Sequence, residues 1–434
     1  MTPPRRSLDS FSVLDAEATA DLGRDCSGRF RFRVPERWIS PIRKNPYAAE
    51  AERRVLEWFE ALGCSQAEIA RARKFDAAGY VGIPFPSLSL ESAVTLGKYL
   101  SLWLLWDDVQ VETLENRWRI EARDLLSGRR PPGMTRFDEG WWQLMQDFAA
   151  RRSPEWIEDL CAAMATWNAA AIDEAVAMLE HRAHGASLGF YQQVELRIAT
   201  IGMYATVYLL EDSYGMELPR AFHASPKVVR LKALANKIVG LGNDILSFGK
   251  DYREDQINLV TTLMRERDLS IDASLERLVR MHDEALEEYD AIADGIEASR
   301  LVDFPLVSRW LQDVRYASLG FSLWESQAPR YTAFKVVHHG LLLEPRFPTL
   351  PPSTRRPGPP AARRFSTLPP PPAPPRFSPL PPAYTPASPL PPAPPSSRAA
   401  PTLRPGEWER SGVRKAVHEE NLEAVLPCGR FGES

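Results

Sequence analysis

The sequence predicts an all-α protein, and three observations lead to that prediction. Apolar residues recur at positions i, i+3 and i+4 through several long segments, which is the spacing of one buried helix face. Hairpin dipeptides and period-2 alternation are scarce, so strands are not expected. Breaker segments such as GIPFPS and SGRRPPGM separate the apolar runs. We therefore expect about ten helices with short connections in one helical bundle.

The predicted helices lie between residues 48 and 335. Each has an apolar stripe long enough to cover one side of a core. The clearest cases are, in chain order, Ala49–Leu62, Leu90–Trp106, Trp156–Glu180, Phe190–Tyr214, Pro226–Phe248, Ile271–Ile296 and Pro305–Trp324. No strand pattern falls between them, so residues 29–340 are assigned to one helical domain.

The segments before and after the helical domain lack its long apolar helix patterns. Residues 1–28 are expected to be a flexible N-terminal segment, and they lack the apolar run of a signal peptide. Residues 341–405 are rich in proline, which lacks the amide hydrogen that helices and central strands require. This stretch is predicted to be a disordered or polyproline II tail. Residues 406–434 form a short C-terminal segment with room for a small helix around Val413–Val425.

The proline-rich tail contains a loose repeat of the form Arg-Phe-x-x-Leu-Pro-Pro. Its copies begin at Arg346, Arg364 and Arg376. Two interpretations stay open: the repeat docks an unknown protein partner, such as an SH3-like module, or it is a tolerated linker. We favour the linker. A non-catalytic scaffold that acts through this tail is the alternative from a different functional class.

The composition excludes some partners and favours one compartment. A net charge of −4 and a pI of about 6.1 give no basis for a nucleic-acid partner. The four cysteines are far apart and show no CxxC spacing, which favours reduced thiols and a cytoplasmic location. No run approaches about 18 apolar residues, so no membrane span is expected. Assembly into a homodimer stays open.

The stretch LWLLWDDVQVE places carboxylates directly behind an apolar helix. Asp107, Asp108 and Glu112 follow Trp103 and Trp106. Burying adjacent carboxylates is costly unless cations neutralise them. On an α-helix Asp107 lies one turn from Trp103 and shares its face, which predicts a cavity with an aromatic wall and a charged rim. Such oxygen ligands suit Mg²⁺, although a helix that simply emerges into water also places acids here.

The stretch NDILSFGKD supplies a second set of oxygen ligands. At about 100° per residue, Asn243, Ser247 and Asp251 line one helix face, and Lys250 lies close to it. The preceding run IVGLG is apolar and small, which indicates a buried helix. A polar helix C-terminus would explain this stretch alone. Together with the acidic motif about 140 residues earlier, a shared metal site is the better interpretation.

These two motifs resemble those of the class I terpene synthases, the bacterial-type terpene cyclases. That family pairs an aspartate-rich motif with an NDxxSxxxE triad across a helical bundle around a central cavity. Here Asp251 stands where Glu is usual, which shortens the reach of the third ligand by one methylene. The resemblance covers roughly residues 29–335 and implies three Mg²⁺ ions bound with a substrate diphosphate. The implied metal ligands are Asp107, Asp108, Glu112, Asn243, Ser247 and Asp251.

The resemblance also implies residues that bind the diphosphate. Arg197 lies 46 residues before the triad and matches the diphosphate-sensing arginine. Arg330-Tyr331 lies 79 residues past the triad and follows Trp324, as the family's Arg-Tyr pair does. A second pair, Arg315-Tyr316, has the wrong spacing and is expected to serve packing or to lie on the surface. With Lys250, these cations would donate charge-assisted hydrogen bonds to phosphate oxygens.

The remaining candidates concern the carbocation that departure of diphosphate leaves behind. Aromatic faces stabilise cations, and tryptophan does so best. Trp103 and Trp324 are therefore candidates for the cavity wall, with Phe85 a weaker one, although core packing explains each of them equally well. Ile201 and Gly202 match the helix break from which the family directs a backbone carbonyl at its substrate.

The implied activity is that of a lyase acting on a prenyl diphosphate. Mg²⁺ assists departure of the diphosphate, and the resulting carbocation cyclises. We expect farnesyl diphosphate as substrate and a sesquiterpene as product. Geranylgeranyl diphosphate and a diterpene are the alternative. A chain-elongating prenyltransferase would carry two DDxxD motifs, whereas this chain has one aspartate-rich motif.

Overall fold

The computed structural model describes residues 11–13, 26–41, 44–111, 114, 118–299, 305–332 and 337–338. The chain divides into two compact units, Met1–Arg356 and Pro357–Ser434, and every described residue belongs to the first. Glu112, the proline-rich tail and the helix suggested around Val413–Val425 lie outside the described residues.

The described part of the chain is almost entirely helical, as the sequence predicts. The α-helices are α1 (Ala48–Ala61), α2 (Gln66–Lys74), α3 (Ala77–Gly82), α4 (Leu90–Trp106), α5 (Ala122–Ser127), α6 (Arg136–Ala149), α7 (Pro154–His184), α8 (Phe190–Thr200), α9 (Met203–Tyr214), α10 (Arg220–His223), α11 (Pro226–Arg253), α12 (Leu259–Arg267), α13 (Ile271–Glu297), α14 (Pro305–Glu325) and α15 (Pro329–Thr332). A 3₁₀ turn, Glu36–Trp38, precedes them.

A minimal antiparallel sheet lies outside the helical bundle. Its strands are β1 (Phe11–Ser12), β2 (Arg29–Phe30) and β3 (Val337–His338), in the order β2-β1-β3. Phe11 pairs with Phe30 on one side and with His338 on the other. The sheet therefore pairs two strands that precede the α-helices in the sequence with one strand that follows them.

Capping residues explain where the long helices begin. Ser153 and Ser225 each accept a hydrogen bond from the backbone amide three residues later, and each is followed by a proline. A serine oxygen satisfies an amide that the first turn leaves unpaired, and proline at the first helical position needs no partner. Ser270 caps α13 by accepting from the Ala273 amide, although no proline follows it.

The long helix α11 lies at the centre of the bundle. It packs against α8, α9, α13 and α14, and almost every residue from Ile238 to Asp251 is buried. Side chains between Ile238 and Asp251 therefore face mainly other protein atoms, and Asn243 and Lys250 are the half-buried exceptions. Across the described residues, none of the helices is long and apolar enough to cross a membrane.

Two local departures from α-helical geometry occur beside the predicted site. The predicted segment Phe190–Tyr214 divides into α8 and α9, because Gly202 adopts a φ of 83°, in the left-handed region that favours glycine. Residues Asp107–Val111 continue α4 as a π-helix. The α-helical periodicity that related Asp107 to Trp103 therefore does not continue past Trp106. Short π-helical segments inside α-helices occur frequently at functional sites.

Candidate active site

The α11 face carries the three predicted oxygen ligands close together. The Ser247 hydroxyl donates a hydrogen bond to the Asp251 carboxylate. Asn258, fully buried just before α12, donates from Nδ2 to Asp251 Oδ2 at 2.8 Å and to the Asp244 carbonyl oxygen at 2.8 Å. The Asp251 side chain is thus fixed by two donors and lies beside Ser247.

Arg197 reaches this face from the last turn of α8. Its guanidinium donates to Asn243 Oδ1 at 2.7 Å, Asp244 Oδ1 at 2.8 Å and Glu174 Oε1 at 2.9 Å. Burial acts to lower the pKa of Arg197, but the neighbouring Asp244 and Glu174 carboxylates outweigh it and raise that pKa. Burial in turn raises the pKa of Asp244 to about 6 against the opposing effect of Arg197. The Arg197 charge is therefore permanent, and one Asn243 lone pair is engaged.

The other side of the Asn243 amide faces α14 and α15. Its Nδ2 donates to Glu325 Oε1 at 2.8 Å and to the Tyr331 hydroxyl oxygen at 3.3 Å. Glu325 is only 3% exposed. Burial raises the pKa of its carboxyl to about 8, although the hydrogen bond from Asn243 acts in the opposite direction.

The aspartate-rich motif meets the predicted Arg-Tyr pair. Arg330 donates through both terminal nitrogens to Asp108, at 2.8 Å to Oδ2 and 3.0 Å to Oδ1. This is the paired geometry that a planar guanidinium offers to a carboxylate or a phosphate. The guanidinium also lies 5.6 Å from the centre of the Phe75 ring. Asp107, the next residue of the motif, is half-buried at the start of the π-helix.

Lys250 lies at the C-terminal end of the α11 face. Its Nζ lies 2.7 Å from Glu254 Oε2, 3.0 Å from Gln256 Oε1 and 3.4 Å from Asp251 Oδ1. The ammonium group is therefore held by acceptors from its own helix and the following turn. A phosphate at this end of α11 would have to compete with these acceptors.

The two tryptophans of the predicted aromatic wall lie in different environments. Trp103 is half-buried, meets Trp167 edge to face at 5.2 Å, and lies directly against the helix break at Gly202. Trp324 is buried, donates from its indole nitrogen to the Phe75 carbonyl at 3.0 Å, and packs on Tyr80 at 4.1 Å between ring centres. Tyr80 covers part of the Trp324 ring. Trp324 therefore has less ring surface available to face a cavity than Trp103 has.

The carbonyl groups at the helix break are partly engaged. The Gly202 carbonyl accepts hydrogen bonds from the Thr206 hydroxyl at 3.1 Å and from the Thr206 amide at 3.3 Å. The Ile201 amide donates to the Arg197 carbonyl at 3.1 Å, which closes the last turn of α8. Phe85 lies apart from the break, buried edge to face against Phe321 at 5.6 Å.

Comparisons with known proteins agree with this arrangement. Residues 98–288 match the family model described as terpene synthase family 2, C-terminal metal binding. The chain is 27% identical over 269 residues to the 7-epi-alpha-eudesmol synthase of Streptomyces viridochromogenes, which covers 60% of this chain and 77% of that relative. It is 26% identical over 334 residues to the (2Z,6E)-hedycaryol synthase of Kitasatospora setae, covering 69% and 93%. Residues 98–288 thus carry the metal-binding region of the terpene synthase family, and the chain is similar to bacterial sesquiterpene synthases over most of its helical domain.

Solved structures of terpene synthases share the fold of this chain. The crystal structure of an α-eudesmol synthase superposes with a TM-score of 0.58 at 22% identity and covers 68% of this chain and 98% of its own. The linalool/nerolidol synthase of Streptomyces clavuligerus superposes with a TM-score of 0.57 at 21% identity, covering 68% and 100%. The helical fold class predicted from the sequence is therefore confirmed.

The oxygen atoms of the candidate site fit a hard cation. Among the described residues, no three His, Cys, Asp or Glu side chains cluster so that they could hold a metal by themselves. The α11 set instead combines one amide, one hydroxyl and one carboxylate oxygen on Asn243, Ser247 and Asp251. Oxygen-only sets of this kind suit Mg²⁺, which accepts few protein ligands and keeps several waters. The family description, metal binding, agrees with this chemistry.

Several residues of the network, including Asp244 beside Asn243, were not predicted as site residues from the sequence. Glu325 and Asn258 contact the α11 ligands directly, and Glu174 pairs with Arg197. No spacing marks Glu325 or Glu174, but an Asn immediately before the apolar run LVTTLM is a helix-cap signal that could have drawn attention to Asn258. The rejected Arg315 is buried and donates to Asp290 at 3.1 Å, which is a packing role.

Proposed function

We propose that this chain is a terpene cyclase that ionises a linear prenyl diphosphate, farnesyl diphosphate in the first instance, and cyclises the carbocation to a sesquiterpene. One observation carries the proposal. The neighbours Arg330 and Tyr331 each contact a different motif: Arg330 pairs with Asp108, and Tyr331 accepts from Asn243. Two motifs about 136 residues apart in sequence thus meet at one pair of phosphate-binding side chains.

The metal ligands of the proposal come from both motifs. Asn243, Ser247 and Asp251 would hold Mg²⁺ on the α11 side, and Asp107 and Asp108 on the α4 side, with Glu112 completing the aspartate-rich motif. When bound, Mg²⁺ supplies Lewis-acid stabilisation to the oxygens of the leaving diphosphate. Three ions bound with the diphosphate are part of the proposal.

Protein cations bind the diphosphate in this proposal. Arg197 brings a permanent positive charge to the α11 face, and Lys250 and Arg330 bring two more. Tyr331, buried beside Glu325, donates a hydroxyl hydrogen bond. Arg330 already presents two parallel N–H groups to a carboxylate, so the same fork can meet two phosphate oxygens. Phosphate binding then requires Arg330 to release Asp108.

In this proposal, aromatic side chains and the exclusion of water protect the carbocation. Trp103 and Trp324 offer ring faces with a negative quadrupole, which stabilises a cation without acting as a nucleophile. Exclusion of water prevents premature quenching. Gly202 lies against Trp103, and in this proposal the helix break at Ile201 and Gly202 directs a backbone carbonyl at the substrate.

The names of two relatives support the substrate assignment. The Streptomyces viridochromogenes relative is named as an enzyme that cyclises (2E,6E)-farnesyl diphosphate. A second relative is named as a germacrene A synthase, from Nostoc punctiforme. Geranylgeranyl diphosphate is the alternative substrate. A scaffold acting through the proline-rich tail is not favoured, since the chain contains both motifs and matches a family model described as metal binding.

The test of the catalytic proposal uses matched substitutions on α11. Asn243→Ala and Ser247→Ala are expected to lower diphosphate release from farnesyl diphosphate by at least about tenfold, as loss of one metal ligand should. Asn236→Ala is the control, because Asn236 is also a buried asparagine of α11 but donates only to the Lys232 carbonyl. Unchanged release in the Asn243 and Ser247 variants would refute the catalytic role.

Deletion of residues 347–434 tests the proline-rich tail. We expect turnover to survive, because the site lies in the preceding helical domain. Loss of all folded protein on deletion would show that the domain extends further. Partner docking by the tail, a homodimer and a cytoplasmic location stay predictions.

A further inference from the structure

The Asn243 amide lies between an acceptor and a donor, and this decides which of its atoms is available to a cation. Glu325 Oε1 accepts from Nδ2 at 2.8 Å, and Arg197 donates to Oδ1 at 2.7 Å. Rotating the amide by 180° would place two acceptors together on the α14 side and two donors together on the α8 side. A side-chain amide takes the orientation that satisfies its neighbours.

The approach of α14 to α11 makes the Glu325 contact available. Gly242, immediately before Asn243, has no side chain, and a methyl group there would lie 2.7 Å from Ser322 Oγ. Glu325 lies one turn beyond Ser322 on the same helix face. The close crossing at Gly242 therefore brings the Glu325 carboxyl to the Asn243 amide.

Burial makes Glu325 a costly residue to keep for packing alone. It is 3% exposed, and within the described part of the chain its second oxygen, Oε2, has no hydrogen-bond partner. An unsatisfied buried polar atom costs about 1–3 kcal/mol. An apolar side chain of the same length would fill this position without that cost.

We propose that Glu325 is a positioning residue, which holds the Asn243 amide so that Oδ1 is the atom offered to a metal ion. This inference rests on the proposed function and names a further determinant of the same site. One Oδ1 lone pair accepts from Arg197, and the second is left for the cation. Oε1 serves as the acceptor whether Glu325 is ionised or carries its proton on Oε2, so the role does not depend on its titration.

The test replaces Glu325 by two side chains of similar length. Glu325→Met removes the acceptor, whereas Glu325→Gln keeps a carbonyl oxygen that can accept from Asn243 Nδ2. The probe is inorganic diphosphate, titrated calorimetrically into the full chain at a series of Mg²⁺ concentrations. The Mg²⁺ concentration for half-maximal diphosphate binding and the midpoint of thermal unfolding are measured for each protein.

We expect Glu325→Met to need about tenfold more Mg²⁺ while its thermal midpoint stays level or rises. Glu325→Gln should stay within about threefold of the natural chain. A merely structural role predicts the opposite pattern for the Met variant, namely a lower midpoint with an unchanged Mg²⁺ requirement. That pattern would overturn the inference, as would equal losses in the Met and Gln variants.

The same titration separates the inference from the function on which it rests. If the natural chain binds no diphosphate at any Mg²⁺ concentration, the proposed function fails and the inference fails with it. If the natural chain binds diphosphate and Glu325→Met binds it with the same Mg²⁺ requirement, only the inference fails.

Discussion

Replacing Gly202 by alanine tests the helix break that adjoins the proposed cavity. Gly202 has a φ of 83°, and a methyl group added there would lie 2.4 Å from the nearest Trp103 ring carbon. Two costs follow from this geometry. The left-handed backbone costs an L-residue about 1–2 kcal/mol, and overpacking against the Trp103 ring costs about 1–3 kcal/mol. We expect Gly202→Ala to destabilise folding by about 2–5 kcal/mol.

The chain contains a matched control at the other end of the same helix. Gly215 ends α9 with a φ of 69°, and a methyl group there would have no atom within 4 Å. Gly215→Ala should therefore cost only the backbone strain, about 1–2 kcal/mol. The difference between the two variants isolates the contact between the break and Trp103.

The assay is equilibrium unfolding of both variants, with and without a smaller residue at position 103. In a double-mutant cycle, Trp103→Leu should bring the cost of Gly202→Ala down to that of Gly215→Ala. Equal destabilisation by the two glycine variants in the natural background would show that Trp103 does not lie against the break. The reasoning would also fail if Trp103→Leu left the cost of Gly202→Ala unchanged.

Three further predictions concern other contacts of the domain. Asn258→Ser keeps an oxygen to cap α12 but loses the donor to Asp251, so diphosphate binding should need about tenfold more Mg²⁺, whereas an unchanged requirement in calorimetry would contradict this. Arg330→Lys removes the paired hydrogen bonds, so kcat/KM should fall about 10–100-fold, and steady-state kinetics showing full activity would refute the phosphate-binding role. Burial lowers the pKa of Lys232 to about 8, so the unfolded chain binds more protons between about pH 8 and 10.5. The free energy of unfolding of the natural chain should therefore rise with pH across this window relative to that of Lys232→Met. Parallel curves of unfolding free energy against pH for the two proteins would contradict this prediction.

The helical fold was predictable because its information is local. The segment Pro226–Phe248 has the apolar spacing of a buried helix and a Ser-Pro start at residues 225–226, and α11 begins at Pro226. Short helices such as α2, α3 and α10 were not singled out, because segments of four to nine residues carry too few turns to show a period. The all-α prediction did not depend on them.

The site was predictable only in part, because tertiary packing decides the rest. Arg197 and Arg330 are predicted from their spacing to one motif, the triad that begins at Asn243. The structure brings Arg197 to Asn243 of that motif and Arg330 to Asp108 of the aspartate-rich motif. The burial of Glu325 depends on the helix crossing at Gly242, which no single segment encodes. The π-helix at Asp107 also left no signal in the sequence, since periodicity arguments assume about 3.6 residues per turn.

The central claim is that this chain converts a prenyl diphosphate to a cyclic terpene. The most direct test incubates the purified full chain with Mg²⁺ and, separately, geranyl, farnesyl and geranylgeranyl diphosphate, and analyses the extracts by gas chromatography–mass spectrometry. The account predicts a cyclic sesquiterpene from farnesyl diphosphate, released with diphosphate and abolished by chelation of Mg²⁺. Failure to form any terpene product from all three substrates would contradict it.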